Sequence, residues 1–133
     1  MPPERFPPDD PREWLNRARS NLARAKTHIA EVYLEDYCFD AQQAAEKAIK
    51  ALLMQRGISF PYVHDLAELP TLLERSGQAV PRETRDAARL TRFAIVTRYP
   101  GASEPVTEDE YREMVAIAER VVRWAEGEIE NRP

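Results

Sequence analysis

Apolar residues recur at three- and four-residue steps along most of the chain, the spacing of amphipathic helices. Trp14, Ala18, Leu22, Ala25 and Ile29 make a first stripe. Asp10 precedes it as an N-cap, and Pro11 takes the first helical position, where a missing N–H costs nothing. A second helix is predicted from about Asp36 to Arg56, closed by Gly57, with Ala41, Ala44, Ala45, Ala48 and Leu52 on its buried side. His64-Asp65-Leu66 opens a shorter helix through Leu73, kinked near Pro70. Pro81 starts a fourth, with Ala87, Leu90, Phe93 and Ala94 inward and an end before Pro100-Gly101. Thr107 and Glu110 form a capping box for the last helix. Its apolar arc is Tyr111, Met114, Val115, Ala118, Val122, Ala125 and Ile129. No stretch of adequate length alternates with period two. The expected fold is all-α, an up-and-down antiparallel four-helix bundle with one additional short helix.

A length of 133 residues fits one domain, expected over residues 10–131. Five of the eleven prolines lie within the first eleven residues, so residues 1–9 read as a flexible Pro-rich arm. The longest apolar run, Met114–Ala118, falls far short of the roughly 20 residues that span a bilayer. No charged, apolar leader opens the sequence, and a cytoplasmic location is expected. The single cysteine, Cys38, cannot staple the fold or build a zinc site alone, and is expected as a core thiol. Neither histidine completes a Glu-x-x-His pair, and no two glycines are close enough for a phosphate loop. Neither a metal nor a cofactor is expected.

The formal charge of −4 argues against indiscriminate polyanion binding but hides an uneven distribution. Arg12 to Lys26 holds five basic residues against one acidic, and Arg82 to Arg98 five against two. Glu108 to Glu130 holds three against eight. On a helical wheel Arg82, Arg85, Arg89 and Arg92 fall within about 80° of one another. Such a stripe is either a solvated face or a track for phosphates.

Three places offer chemistry. Gln43, Glu46, Lys47 and Lys50 share the side of helix two opposite its alanines, which would gather two ammonium groups, a carboxylate and an amide on one patch. Glu46 and Lys50 are also a favourable i,i+4 pair. His64 stands directly before a plausible N-cap, Asp65, and serves either packing or chemistry. Arg98, in Arg98-Tyr99-Pro100, falls on the core side of helix four, where a guanidinium needs an acid, a carbonyl or a phosphate.

Trp14-Leu15 with Asn21-Leu22, then Gln43-Ala44-Ala45-Glu46-Lys47-Ala48-Ile49-Lys50-Ala51-Leu52-Leu53, then His64-Asp65-Leu66, then Arg98-Tyr99-Pro100, resemble the HEPN (higher eukaryotes and prokaryotes nucleotide-binding) domain over about Trp14 to Trp124. The resemblance implies a helical bundle that pairs into a homodimer, often encoded beside a nucleotidyltransferase partner as a toxin–antitoxin module. Many HEPN proteins are metal-independent endoribonucleases with an arginine and a histidine four to six residues apart. This chain lacks that spacing: Arg24 and His28 have three residues between them, Arg56 and His64 seven, and no histidine follows Arg98. It looks more like the Arg-Tyr-Pro branch.

The leading expectation is therefore a nucleotide- or phosphate-binding site built from Gln43, Lys47, Lys50, His64, Arg98 and Tyr99. An RNA-cleaving alternative would use His64 and Arg98 as catalytic residues. A third alternative is an interaction module, with the arginine stripe and acidic last helix as complementary surfaces for a partner or for self-association. The arc on the last helix, edged by Trp124, would suit a dimer interface.

Overall fold

A computed structural model describes residues 2–61, 64–96 and 105–130, and every regular element among them is helical. α1 spans Pro11–Ala25, α2 Leu34–Gln55, α3 Glu68–Arg75, α4 Arg82–Arg85, α5 Phe93–Val96 and α6 Glu108–Glu130. A 3-10 helix, Asp86–Leu90, lies between α4 and α5. The fold is the all-α bundle the periodicity predicts. At its centre stands α2, packed against α1, α3, α5, α6 and the 3-10 helix.

The caps form where the local chemistry demands them. Asp10 Oδ1 accepts the Arg12 N–H at 2.8 Å, with Pro11 opening α1. The Glu110 N–H donates to Thr107 Oγ1 at 3.1 Å, and the Thr107 N–H returns to Glu110 Oε1 at 3.3 Å. Gly57, at φ +70°, turns the chain out of α2 while the Ile58 N–H reaches back to the Leu53 carbonyl at 2.9 Å.

Elsewhere the helices depart from the expected pattern. α1 stops at Ala25, with Lys26 as its C-cap and Thr27 Oγ1 donating to the Arg24 carbonyl. Ile29 thus leaves the stripe and is 52% exposed. Leu15, not Trp14, is the buried residue at the start. Pro70 does not kink α3, because it sits in the first turn, where helical N–H groups have no acceptor anyway. The fourth helix is broken into α4, the 3-10 helix and α5. Its buried residues Thr84, Ala87, Leu90 and Phe93 follow one another at steps of three, which a 3-10 helix keeps on one face and an α-helix does not.

Burial on α6 involves Tyr111, Met114, Ile117, Ala118, Val121, Val122 and Ala125, while Val115 and Ile129 pack only partly. This arc faces inward onto α2 and α1, so the bundle itself covers the face expected at a dimer interface; Trp124 packs half-buried beside it. No helix among the described residues is long and apolar enough to cross a membrane.

The uneven charges find each other within the chain. From α1, Arg19 pairs with Glu126 at 2.5 Å and Glu130 at 2.9 Å, and just beyond it Lys26 pairs with Glu119 at 2.5 Å. From the arginine stripe, Arg85 pairs with Glu74, Arg89 with Glu113 at 2.6 Å and Arg92 with Glu110 at 3.2 Å. Arg82, Arg89 and Arg92 are exposed, so the stripe is a solvated face, three of whose guanidiniums are paired with acids of α6 and α3.

Residues 2–9, expected as an arm, lie against α1. The Phe6 N–H donates to Glu13 Oε1 at 2.9 Å, Trp14 Nε1 to the Pro8 carbonyl at 2.7 Å and Asn16 Nδ2 to the Glu4 carbonyl at 2.9 Å.

Candidate functional site

Most of α2 is buried, so the polar residues on its covered sides must be satisfied by neighbours. Glu46 and Lys50 are each 3% exposed, and Gln42 is wholly buried. Glu46 is the hub. Its Oε1 accepts Gln42 Nε2 at 2.8 Å and lies 2.8 Å from His64 Nδ1, while its Oε2 accepts Lys50 Nζ at 3.0 Å. The Lys50 ammonium also lies 5.6 Å from the Phe60 ring centroid and 6.0 Å from that of Trp14, within cation–π range. Every buried side-chain nitrogen and oxygen among the described residues has a partner.

A second network leaves α2 on the side of α1. Lys47 Nζ donates to Asn21 Oδ1 at 2.8 Å, and Asn21 Nδ2 donates to Asp40 Oδ1 at 3.1 Å. Arg24 completes it, 3.2 Å from the same Asp40 oxygen. Burial pushes the Lys47 pKa down, and the nearby Arg17 pushes it further. Asp40 shifts the other way, its carboxyl raised chiefly by burial.

The expected patch of Gln43, Glu46, Lys47 and Lys50 is therefore divided. Lys50 is turned inward and holds Glu46, because Trp14 of α1 and Phe60 beyond α2 cover this part of the helix. Gln43 and Lys47 are half-buried, and Gln43 Nε2 donates to Gln42 Oε1 at 2.7 Å. The structure brings His64 and Lys50 together on one carboxylate, and sends Lys47 to the other network. The His64 side chain is 49% exposed, and its Nε2 makes no hydrogen bond among the described residues. Arg98, Tyr99 and Pro100 lie outside the described residues, and the expected pairing of Arg98 with His64 lies there with them.

Sequence reasoning gave Gln42, Asn21 and Asp40 no role in the site. A signal for them exists. Gln42, Glu46 and Lys50 stand four residues apart, and Asn21 interrupts the apolar stripe of α1 between Ala18 and Leu22. Among the described residues no group of histidine, cysteine and acidic side chains could hold a metal ion. Chemically, the site offers an imidazole oriented by a carboxylate and, separately, a lysine ammonium bonded to a neutral amide.

A helical bundle whose apolar central helix carries a buried, paired polar cluster is the class that fold and site define. The model of the HEPN domain matches residues 11–128, and the chain belongs to that family. The crystal structure of ST0689, an archaeal HEPN homologue, aligns with a TM-score of 0.70 at 28% identity, over 90% of this chain and 98% of that one. The crystal structure of TT1696 from Thermus thermophilus aligns with a TM-score of 0.76 at 30% identity, over 89% of this chain and 97% of that one. No curated protein matches the chain.

Proposed function

We propose that the chain binds phosphate-bearing ligands, nucleotides or RNA, through Lys47 with Gln43 and His64 as further contributors. Arg98 and Tyr99, which lie outside the described residues, belong to this reading on their residue types alone, and Lys50 acts from behind by holding Glu46. One observation carries this reading: Lys47 forms no salt bridge among the described residues and is bonded to the neutral Asn21 amide. Burial and the nearby Arg17 and Arg24 oppose its charge while the more distant Glu46 and Asp40 favour it, so a bound anion would supply the direct charged partner that it lacks. Titration calorimetry with ATP and GTP tests the reading. Heat is expected with the wild type, and Lys47→Ala should weaken binding by about tenfold or more. Absence of heat at millimolar nucleotide in both proteins would reject it. In this reading the chain works as a homodimer with a nucleotidyltransferase partner, as a toxin–antitoxin-like pair. Mass measurement in solution and co-purification with the product of a neighbouring nucleotidyltransferase gene would test both.

A second reading is favoured by the Glu46–His64 contact. A carboxylate on Nδ1 fixes the tautomer and orientation of the imidazole and leaves Nε2 facing outward, the arrangement a general base requires. His64 would take the proton of an RNA 2′-hydroxyl as that oxygen attacks the adjacent phosphorus and the 5′-oxygen leaves. Cleavage should then survive chelator and disappear in His64→Ala. RNA left intact by the wild type would eliminate this alternative.

A further inference from the structure

Three features of the sequence press residues 2–9 onto α1. The prolines fix φ and keep the segment extended. The Asp10 N–H bonds to the Pro7 carbonyl at 3.0 Å, reversing the chain just before the helix. Arg12, held by both Asp10 oxygens, lays its guanidinium 4.1 Å from the Phe6 ring centroid.

A cleft of about 380 Å³ results between this segment, α1 and Lys47 of α2, within the range that holds small ligands. Phe6, Pro8 and Trp14 are its apolar walls, and Arg5, Arg17 and Lys47 its cations. The one acid lining it, Glu13, is already occupied by Arg17 at 2.7 Å and by the Phe6 N–H. With Arg17 and Glu13 offsetting each other, Arg5 and Lys47 leave the cleft positive, and aromatic rings beside a cationic edge match a flat ring carrying an anionic group. Arg5 and Arg17 also line a smaller cavity of about 120 Å³, there together with the acids Glu4 and Glu13.

We propose that residues 2–9 form a wall of the ligand site, and that the cleft they close takes an aromatic ring bearing a phosphate, as in a mononucleotide. This rests on the phosphate reading of Lys47 and adds to it a ring-binding half supplied by Phe6 and Trp14.

The chain has two tryptophans, so Trp124→Phe leaves Trp14 as the reporter of its own cleft. In that background AMP should shift or quench Trp14 emission saturably. Ribose 5-phosphate, inorganic phosphate and adenosine should each bind about tenfold or more weakly than AMP. Phe6→Ala keeps the backbone N–H that bonds Glu13 and removes the ring together with its exposed contact to Arg12. Both Phe6→Ala and Arg5→Gln should weaken AMP about threefold to tenfold, with unchanged thermal unfolding. If AMP binds with Lys47-dependent heat but ignores Trp14, Phe6 and Arg5, the cleft is overturned and phosphate binding at Lys47 stands. Ribose 5-phosphate binding as tightly as AMP overturns the ring half in the same way. If AMP gives neither heat nor fluorescence change in any form, both readings fall.

Discussion

The Glu46–Lys50 pair is the sharpest test of how the centre of this bundle is held. Both side chains are almost fully buried and their charged atoms stand 3.0 Å apart. Glu46→Met takes away the carboxylate facing a buried ammonium and leaves the Gln42 amide without its acceptor. Breaking such a pair from one side costs about 3–5 kcal/mol. Lys50→Met is milder, because Glu46 keeps Gln42 and His64 as partners, and should cost about 1.5–3 kcal/mol. Replacing both by methionine, which fits a helix and has similar length, removes the desolvation of two charges together. The double variant should therefore be about 2 kcal/mol more stable than the sum of the single losses predicts. For a chain of this size Glu46→Met should lower Tm by roughly 10–20 °C. Urea unfolding followed by far-UV circular dichroism measures all four proteins at neutral pH. Additive losses, within about 0.5 kcal/mol, would refute a coupled buried pair.

Other outcomes follow from the same geometry. Cys38 is wholly buried and its thiol is pushed up to about 12 by burial, so a thiol reagent should modify it only on unfolding; rapid labelling of the folded chain would contradict its placement. Because Arg85, Arg89 and Arg92 are spent on intramolecular acids, changing all three to glutamine should lower stability yet leave nucleotide affinity within about twofold; a large affinity loss would restore the phosphate track. Glu119, bonded to Lys26 and Arg123, has its carboxyl held below the ordinary 4.5, so its stabilisation is present above that pH and lost as pH falls through its lowered value. Asp40 is raised above 3.8 by burial, so its ionisation opposes folding as pH rises from 3.8 through its raised value. Stability measured between about pH 3 and pH 6 should thus flatten at its acid end in Glu119→Gln and rise more steeply in Asp40→Asn; the reverse slopes would refute both assignments.

What could be read from the sequence is what short-range chemistry decides. Asp10-Pro11, Thr107-x-x-Glu110 and Gly57 set helix ends through their own hydrogen bonds and dihedral preferences, and each stands where expected. Periodicity is a weaker guide, because it counts apolar residues without saying when the backbone stops. Ile29 continues the α1 stripe on paper, yet the chain has already left the helix through Lys26 and His28, the latter at φ +48°. In the fourth segment Thr84, Ala87, Leu90 and Phe93 carry a step of three that belongs to a tighter helix. A wheel drawn at 100° per residue hides that step.

The site was legible in its residue types but not in its sidedness, for one physical reason. A wheel assigns polar residues to water, and that holds only for a helix with a free face. α2 is covered on most sides, and between Asp40 and Leu53 only Gln43 and Lys47 are half-open, so Gln42, Glu46 and Lys50 answer to one another rather than to solvent. The charge counts need the same correction. Five basic residues near α1 and five near α5 suggest two anion surfaces, until Arg19, Lys26, Arg89 and Arg92 are set against the acids of α6. Those pairs make α6 the electrostatic complement of both segments and explain how a chain of net −4 carries two basic stretches. A cation whose partner is a neutral amide then carries more weight than any stripe. Lys47 is such a cation, and it lines the cleft under residues 2–9.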